Sequence, residues 1–155
     1  MTSPLHATDL LHAQRYADGQ MPPAEAEQWF AASDAHDLDR IFLVAPSSTP
    51  ERLARTVEAS RGFVYAASTM GVTGARDAVS SAAPELVGRV KEISDIPVGV
   101  GLGVRSREQA AEIAHFADGV IVGSALVSAL TDGVGAVRSL TEELAVGVRQ
   151  KVPAT

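Results

Sequence analysis

Cysteine is absent from the 155-residue chain. That excludes a disulfide framework, a thiolate metal site and a cysteine nucleophile. Basic residues are sparse as well: 13 Lys and Arg stand against 19 Asp and Glu, the formal net charge is -6, and no basic cluster occurs. A surface for nucleic acid or for anionic membranes is therefore not expected. A small phosphate is not excluded, because backbone amides alone can hold one. No apolar run reaches the roughly 18 residues of a membrane span. The first residues lack the pattern of a signal peptide, so a cytoplasmic location is expected. Low-complexity tracts and long linkers are missing too. What is present, 46% hydrophobic and 21% charged residues, is the make-up of one globular domain able to bury a core.

From Arg40 onward, short apolar runs alternate with helical patterns, the signature of βα units around a parallel sheet. The first run is Ile41 to Ala45, closed by Pro46. Thr49 then reads as an N-cap with Pro50 at the first helical position, Leu53, Ala54 and Val57 share a face, and Gly62 marks a stop. The second run is Phe63 to Ala67, followed by a loop with Gly71 and Gly74. A helix is expected from about Pro84 to Ile93, with Leu86, Val87, Val90 and Ile93 facing inward. The third run, Pro97 to Gly103, precedes a capping-box pattern of Ser106 and Gln109 that opens a helix from Arg107 to Phe116. The fourth run, Gly119 to Val122, leads through Gly123-Ser124 into a helix from about Ala125 to Leu130. A last amphipathic helix carries Val137, Leu140, Leu144 and Val148. The strands are apolar throughout rather than alternating, which predicts cover on both faces.

The first forty residues read differently. Pro22-Pro23 begins a helix with Ala26, Trp29 and Phe30 at helical spacing. A short helix around Leu10 to Tyr16 is the alternative to disorder for the segment before it.

In βα folds, the loops after the strands gather at one edge of the sheet, where ligands bind. Three such loops carry glycine here: Gly71-Val72-Thr73-Gly74, Gly101-Leu102-Gly103 and Gly123-Ser124. Helix N-termini leave amides unpaired and favour an anion, and glycine lets phosphate oxygens approach the backbone. One loop of this kind is more often an ordinary turn. Two in succession, the second entering a helix through Gly-Ser, favour phosphate. The histidines His6, His12, His36 and His115 are dispersed, with no metal-ligand spacing, so no metal is expected. Tyr65 sits inside a strand just before a glycine loop, so core and site readings both stand. Arg76 and Asp77 follow that loop and are either substrate-facing or simply solvated.

The residues Tyr65 to Arg76, with Gly71-Val72-Thr73-Gly74 at their centre, resemble the mobile sixth-loop motif of tryptophan synthase alpha subunits. Pro97 to Gly103 resembles that family's seventh strand and glycine turn, Ala117 to Ala125 its eighth strand and phosphate loop, and Ile41 to Pro46 its fifth strand. The resemblance implies an α/β fold: a partial TIM (βα)8 barrel of about four βα units, equivalent to strands 5–8, plus an N-terminal helical extension. Residues 1–20 are an unmatched extension and 21–155 the half-barrel domain. It further implies that Gly74, Gly103, Gly123 and Ser124 bind the phosphate of indole-3-glycerol phosphate and that Thr73 helps close the site. Tyr65 then lines the reaction centre, and Leu102, where the family often has Phe, and Ile121 line the indole side. The family reaction is retro-aldol cleavage to indole and glyceraldehyde 3-phosphate. The alpha subunit needs no cofactor; pyridoxal phosphate belongs to the beta subunit, the implied partner.

The family's acid/base pair, a Glu on the second strand and an Asp in the following loop, finds no counterpart here. No catalytic residue is assigned, and negligible activity is expected of the chain alone. It is expected to be a truncated, split or misread form that self-associates, pairs with a complementary half or is poorly soluble, because four parallel strands leave two edges and an apolar face exposed. The alternative is a non-catalytic phosphate-binding half barrel; another phosphate-binding barrel, such as an isomerase of histidine or tryptophan synthesis, is disfavoured by Gly71-Val72-Thr73-Gly74.

Overall fold

A computed structural model of the protein describes residues 15–67, 76–101 and 103–150, with residues 76–81 described by backbone alone. Four strands, β1 (Leu43–Val44), β2 (Val64–Ala67), β3 (Val98–Gly101) and β4 (Gly119–Val120), form one sheet in the order β1-β2-β3-β4. All three pairings are parallel, with Leu43 opposite Tyr65, Tyr65 opposite Gly99, and Gly99 opposite Gly119. A helix follows each strand: α2 (Pro50–Ala59), α3 (Arg76–Lys91), α4 (Arg107–Ala114) and α5 (Ser124–Ala129). Before β1 comes α1 (Pro23–Ala35), and after α5 come a 3-10 turn (Leu130–Asp132) and α6 (Val134–Arg149).

The caps form as the sequence predicts. Thr49 Oγ1 accepts a hydrogen bond from Arg52 N–H at 3.3 Å, with Pro50 opening α2. Ser106 Oγ accepts from Gln109 N–H at 3.3 Å, while Gln109 Oε1 accepts from Arg105 N–H at 2.8 Å. The reach-back thus falls one residue before the usual capping box. Helix α2 ends at Ala59, and Gly62, at φ 87°, makes the turn beyond it.

Strand residues alternate between two environments. Val44, Val64, Ala66, Val98 and Val100 are buried beneath Leu53 and Val57 of α2, Leu86, Val87 and Val90 of α3, Ala110 and Ile113 of α4 and Leu144 of α6. Each fully buried Val or Leu side chain contributes about 1.5–3 kcal/mol. On the opposite face, Ile41 and Leu43 are 43% and 59% exposed. The expectation of cover on both faces is therefore corrected: among the described residues, helices cover one face and leave the other, also apolar, uncovered.

Other expectations shift in detail. Helix α3 starts at Arg76, with Pro84 inside it rather than at its start. The ring costs one i→i−4 bond there, which burial of Ala83, Leu86, Val87 and Val90 along the same face offsets. Ile93 falls beyond the helix and is 51% exposed. Ala54 is exposed while Thr56 takes the buried position in α2, and Val148 is 40% exposed because α6 turns Leu144 and Gly147 inward instead. Gly147 lets α6 lie directly on α4: a Cβ there would overlap the Arg107 carbonyl oxygen.

Residues 15–17 are helical, with Ala17 buried and Arg15 and Tyr16 partly buried in the N-terminal flank. Tyr16 meets Phe30 edge-on at 5.0 Å and Trp29 meets Phe42 at 5.7 Å, tying α1 to the segment entering β1. Arg40 sits 4.7 Å above the Phe30 ring and donates to Ser33 Oγ and the Ala59 carbonyl. The rest of the helix expected around Leu10 to Tyr16 lies outside the described residues.

Candidate functional site

The parallel order brings the ends of all four strands to one edge, and the inner face there is floored by the central strand β3. Two of its four residues, Gly99 and Gly101, point to that face with no side chain of their own. From β2, Tyr65 leans across: a Cβ at Gly101 would collide with its phenol oxygen. From the β4 side, Ile121 and, from before β2, Phe63 lean over Gly99. The Ile121 amide holds the ladder by donating to Val100 O at 2.8 Å. Tyr65 and Ile121, both expected to line a pocket, are thus brought to one basin. The parts of Gly99 and Phe63 in it were not foreseen, although the Gly-Val-Gly alternation of β3 is a period-two signal for one bare face.

Beyond the basin lie the described residues expected at phosphate. Gly103 has φ 65°, the left-handed region that favours glycine, and a Cβ on it would meet open space. Val104 beside it is buried and anchors the turn. Gly123 is the N-cap of α5, with no side chain capping the helix, and Ser124 is its first residue. Both are exposed, and a Cβ on Gly123 would likewise meet nothing. The first amides of a helix have no intrahelical partner, so this end presents donors outward. Gly103 and Gly123-Ser124 follow the adjacent strands β3 and β4, so two backbone turns lie at neighbouring strand ends. Thr73, Gly74 and Leu102, and the Gly71 to Gly74 loop as a whole, lie outside the described residues, as do the side chains of Arg76 and Asp77.

Among the described inner-face residues Phe63, Tyr65, Ala67, Gly99, Gly101 and Ile121, none carries a carboxyl or imidazole group. The carboxylate nearest in sequence, Asp118, precedes β4 and works at the other end of the strands. It accepts from Val98 N–H at 2.9 Å and from Lys91 Nζ at 3.0 Å. Burial pushes its carboxyl up, but these two donors outweigh it and hold the group below the ordinary carboxylate range. His36 caps α1 and His115 caps α4, both away from the basin. Among the described residues, no group of three or more His, Asp or Glu gathers as a metal site, and no helix is long and apolar enough to cross a membrane. A shallow depression of about 320 Å³, lined by Arg107, Glu112, His115 and Gln150, lies against α4 and the end of α6 rather than over the strand ends, and has none of the expected site residues.

The family model for the tryptophan synthase alpha chain matches residues 18–153. The chain belongs to the tryptophan synthase alpha chain family. It is 84% identical over 129 residues to the tryptophan synthase alpha chain of Mycobacterium ulcerans, covering 83% of this chain and 48% of that one. With the alpha chain of Mycobacterium intracellulare it shares 74% identity over 152 residues, covering 96% of this chain and 56% of that one. A ligand-free crystal structure of M. tuberculosis tryptophan synthase superposes with a TM-score of 0.72 at 72% identity, over 84% of this chain and 48% of that chain. A mutant alpha-subunit from the hyperthermophile Pyrococcus furiosus gives 0.66 at 30% identity, over 81% of this chain and 52% of that one. The chain thus spans about half the length of the alpha chains it matches.

Proposed function

We propose that this chain is the phosphate-binding half of a tryptophan synthase alpha barrel, corresponding to strands 5–8, and that it serves the aldol cleavage of indole-3-glycerol phosphate to indole and glyceraldehyde 3-phosphate. The observation that carries the reading is the pair of backbone turns at adjacent strand ends, Gly103 in the left-handed region and Gly123-Ser124 opening α5. In this reading Gly74 joins them at the phosphate, Thr73 closes the site, and Tyr65, Leu102 and Ile121 line the ring end. The chain works in the cytoplasm with a beta subunit as partner; pyridoxal phosphate is held by that subunit, and this chain needs no cofactor.

Cleaving the carbon–carbon bond requires a proton donor and a proton acceptor, each worth on the order of a hundredfold or more. The described inner face offers only the Tyr65 phenol, so the chain contributes binding and positioning while a complementary half supplies the acid and base. The same observation favours a second reading, a phosphate-binding half barrel with no catalytic role. Titrating the isotope-labelled chain with inorganic phosphate tests the site itself. Amide shifts concentrated at Gly103, Gly123 and Ser124 support it; shifts spread over surface residues, or none, overturn it.

A further inference from the structure

We propose that Gly99 is a specificity-determining residue of this basin: its missing side chain sets the room available to a flat apolar ring at the end away from the phosphate turns. The inference rests on the reading of the basin as a site and names a residue which that reading does not use. Among the described glycines, those at positive φ are Gly19, Gly62, Gly103 and Gly133, so the backbone does not require glycine at 99. The requirement is spatial. A Cβ at Gly99 would stand 2.9 Å from Ile121 Cδ1, 3.3 Å from Ile121 Cγ1 and 3.3 Å from Phe63 Cδ2. Gly119, the residue opposite Gly99 on β4, is not squeezed in this way: its nearest neighbour would lie 3.9 Å off, an ordinary contact.

Ile121 and Phe63 therefore pack against β3 in space that Gly99 leaves bare. Both are only partly buried, and in this reading the surface they leave exposed borders the ring end. A methyl group at 99 lifts the Ile121 end and presses on Phe63, and the direction left to them is the basin. The ring end shallows, while the phosphate end, made by the turns at Gly103 and Gly123, is untouched. The ligand class this selects carries a planar apolar ring at one end and an anion at the other.

The test uses the full chain with two separate probes, indole and inorganic phosphate, followed by methyl and amide NMR. Overpacking of this size predicts that Gly99→Ala weakens indole binding on the order of tenfold and leaves phosphate binding unchanged. Adding Ile121→Val, which deletes the Cδ1 atom that the new methyl meets, is expected to restore indole binding. Equal loss of both probes, no loss of indole, or no rescue by Ile121→Val overturns the proposal. Ile121→Val alone only removes an atom and so keeps the fold; it is expected to shift preference towards a methyl-substituted indole, and unchanged preference counts against the idea. A wild-type chain that binds phosphate but not indole sinks this inference and spares the phosphate site. A chain that binds indole but not phosphate does the reverse.

Discussion

At the scale of single residues, two side chains make claims that stability measurements check. Thr56 is fully buried in α2, and its hydroxyl has no hydrogen-bond partner among the described residues. A buried hydroxyl left unpaired is costly, and Val has the same branched shape. Thr56→Val is expected to stabilise the chain by about 1 kcal/mol in urea unfolding; a loss of stability would mean that the hydroxyl is bonded. Asp118 makes the second claim. Its folded carboxyl sits below the ordinary range, so the stability it gives is complete above the unfolded carboxylate value, about 3.9, and is lost as pH falls through the lower folded value. Asp118→Asn should therefore flatten the acid side of the stability curve and cost stability at neutral pH. The side chain is 43% exposed, so the loss is modest and shrinks with salt. Residue roles of this kind were legible where a local pattern carries them, as with Thr49 and Ser106. They were not where a neighbour decides: nothing local marks Gly99, whose constraint comes from Phe63 and Ile121.

At the scale of elements, two helical glycines should respond in opposite directions to the same change. Gly88 is exposed in α3, and a Cβ on it would meet nothing, so Gly88→Ala is expected to stabilise by about 0.5–1 kcal/mol through helix propensity. Gly147 is buried where α6 crosses α4, and its Cβ would strike the Arg107 backbone; Gly147→Ala should cost about 1–3 kcal/mol. Unfolding midpoints of the two variants decide, and matching signs would contradict the α4–α6 packing. The kinds and order of the elements from β1 to α6 could be read from the sequence, because apolar runs and caps punctuate it regularly. Boundaries were less legible. Pro84 suggests a helix start by its chemistry, yet α3 runs through it because Ala83, Leu86, Val87 and Val90 continue one buried stripe. The face of α6 was misjudged at Val148 because contact with α4, rather than hydrophobicity alone, selects Leu144 and Gly147.

At the scale of the whole molecule, the sheet is finished on one face and open on the other. Leu43, Tyr65, Ile121 and Phe63 belong to a face that the described helices do not cover, and among the described residues β1 and β4 each pair on one side only. Burying such surface contributes roughly 25 cal/mol per Å², so the chain is expected to self-associate. Light scattering should return a mass above that of one 16.1 kDa chain, and a clean monomer would contradict this. Of the eight residues expected at the site, five (Gly103, Gly123, Ser124, Tyr65 and Ile121) lie among the described residues, and their places along the strands and strand ends could be read because strand-end glycines have a fixed place in βα folds. That helices would cover only one face could not be read from the strands themselves, since wholly apolar strands look the same whether their second face meets helices or a barrel interior; the half-barrel resemblance alone pointed to an exposed apolar face. The decisive experiment is an assay of indole release from indole-3-glycerol phosphate by the purified chain, with and without a separately made N-terminal half of a related alpha chain. Release is expected only in the mixture; release by the chain alone, or none from a folded mixture, would overturn the half-barrel reading.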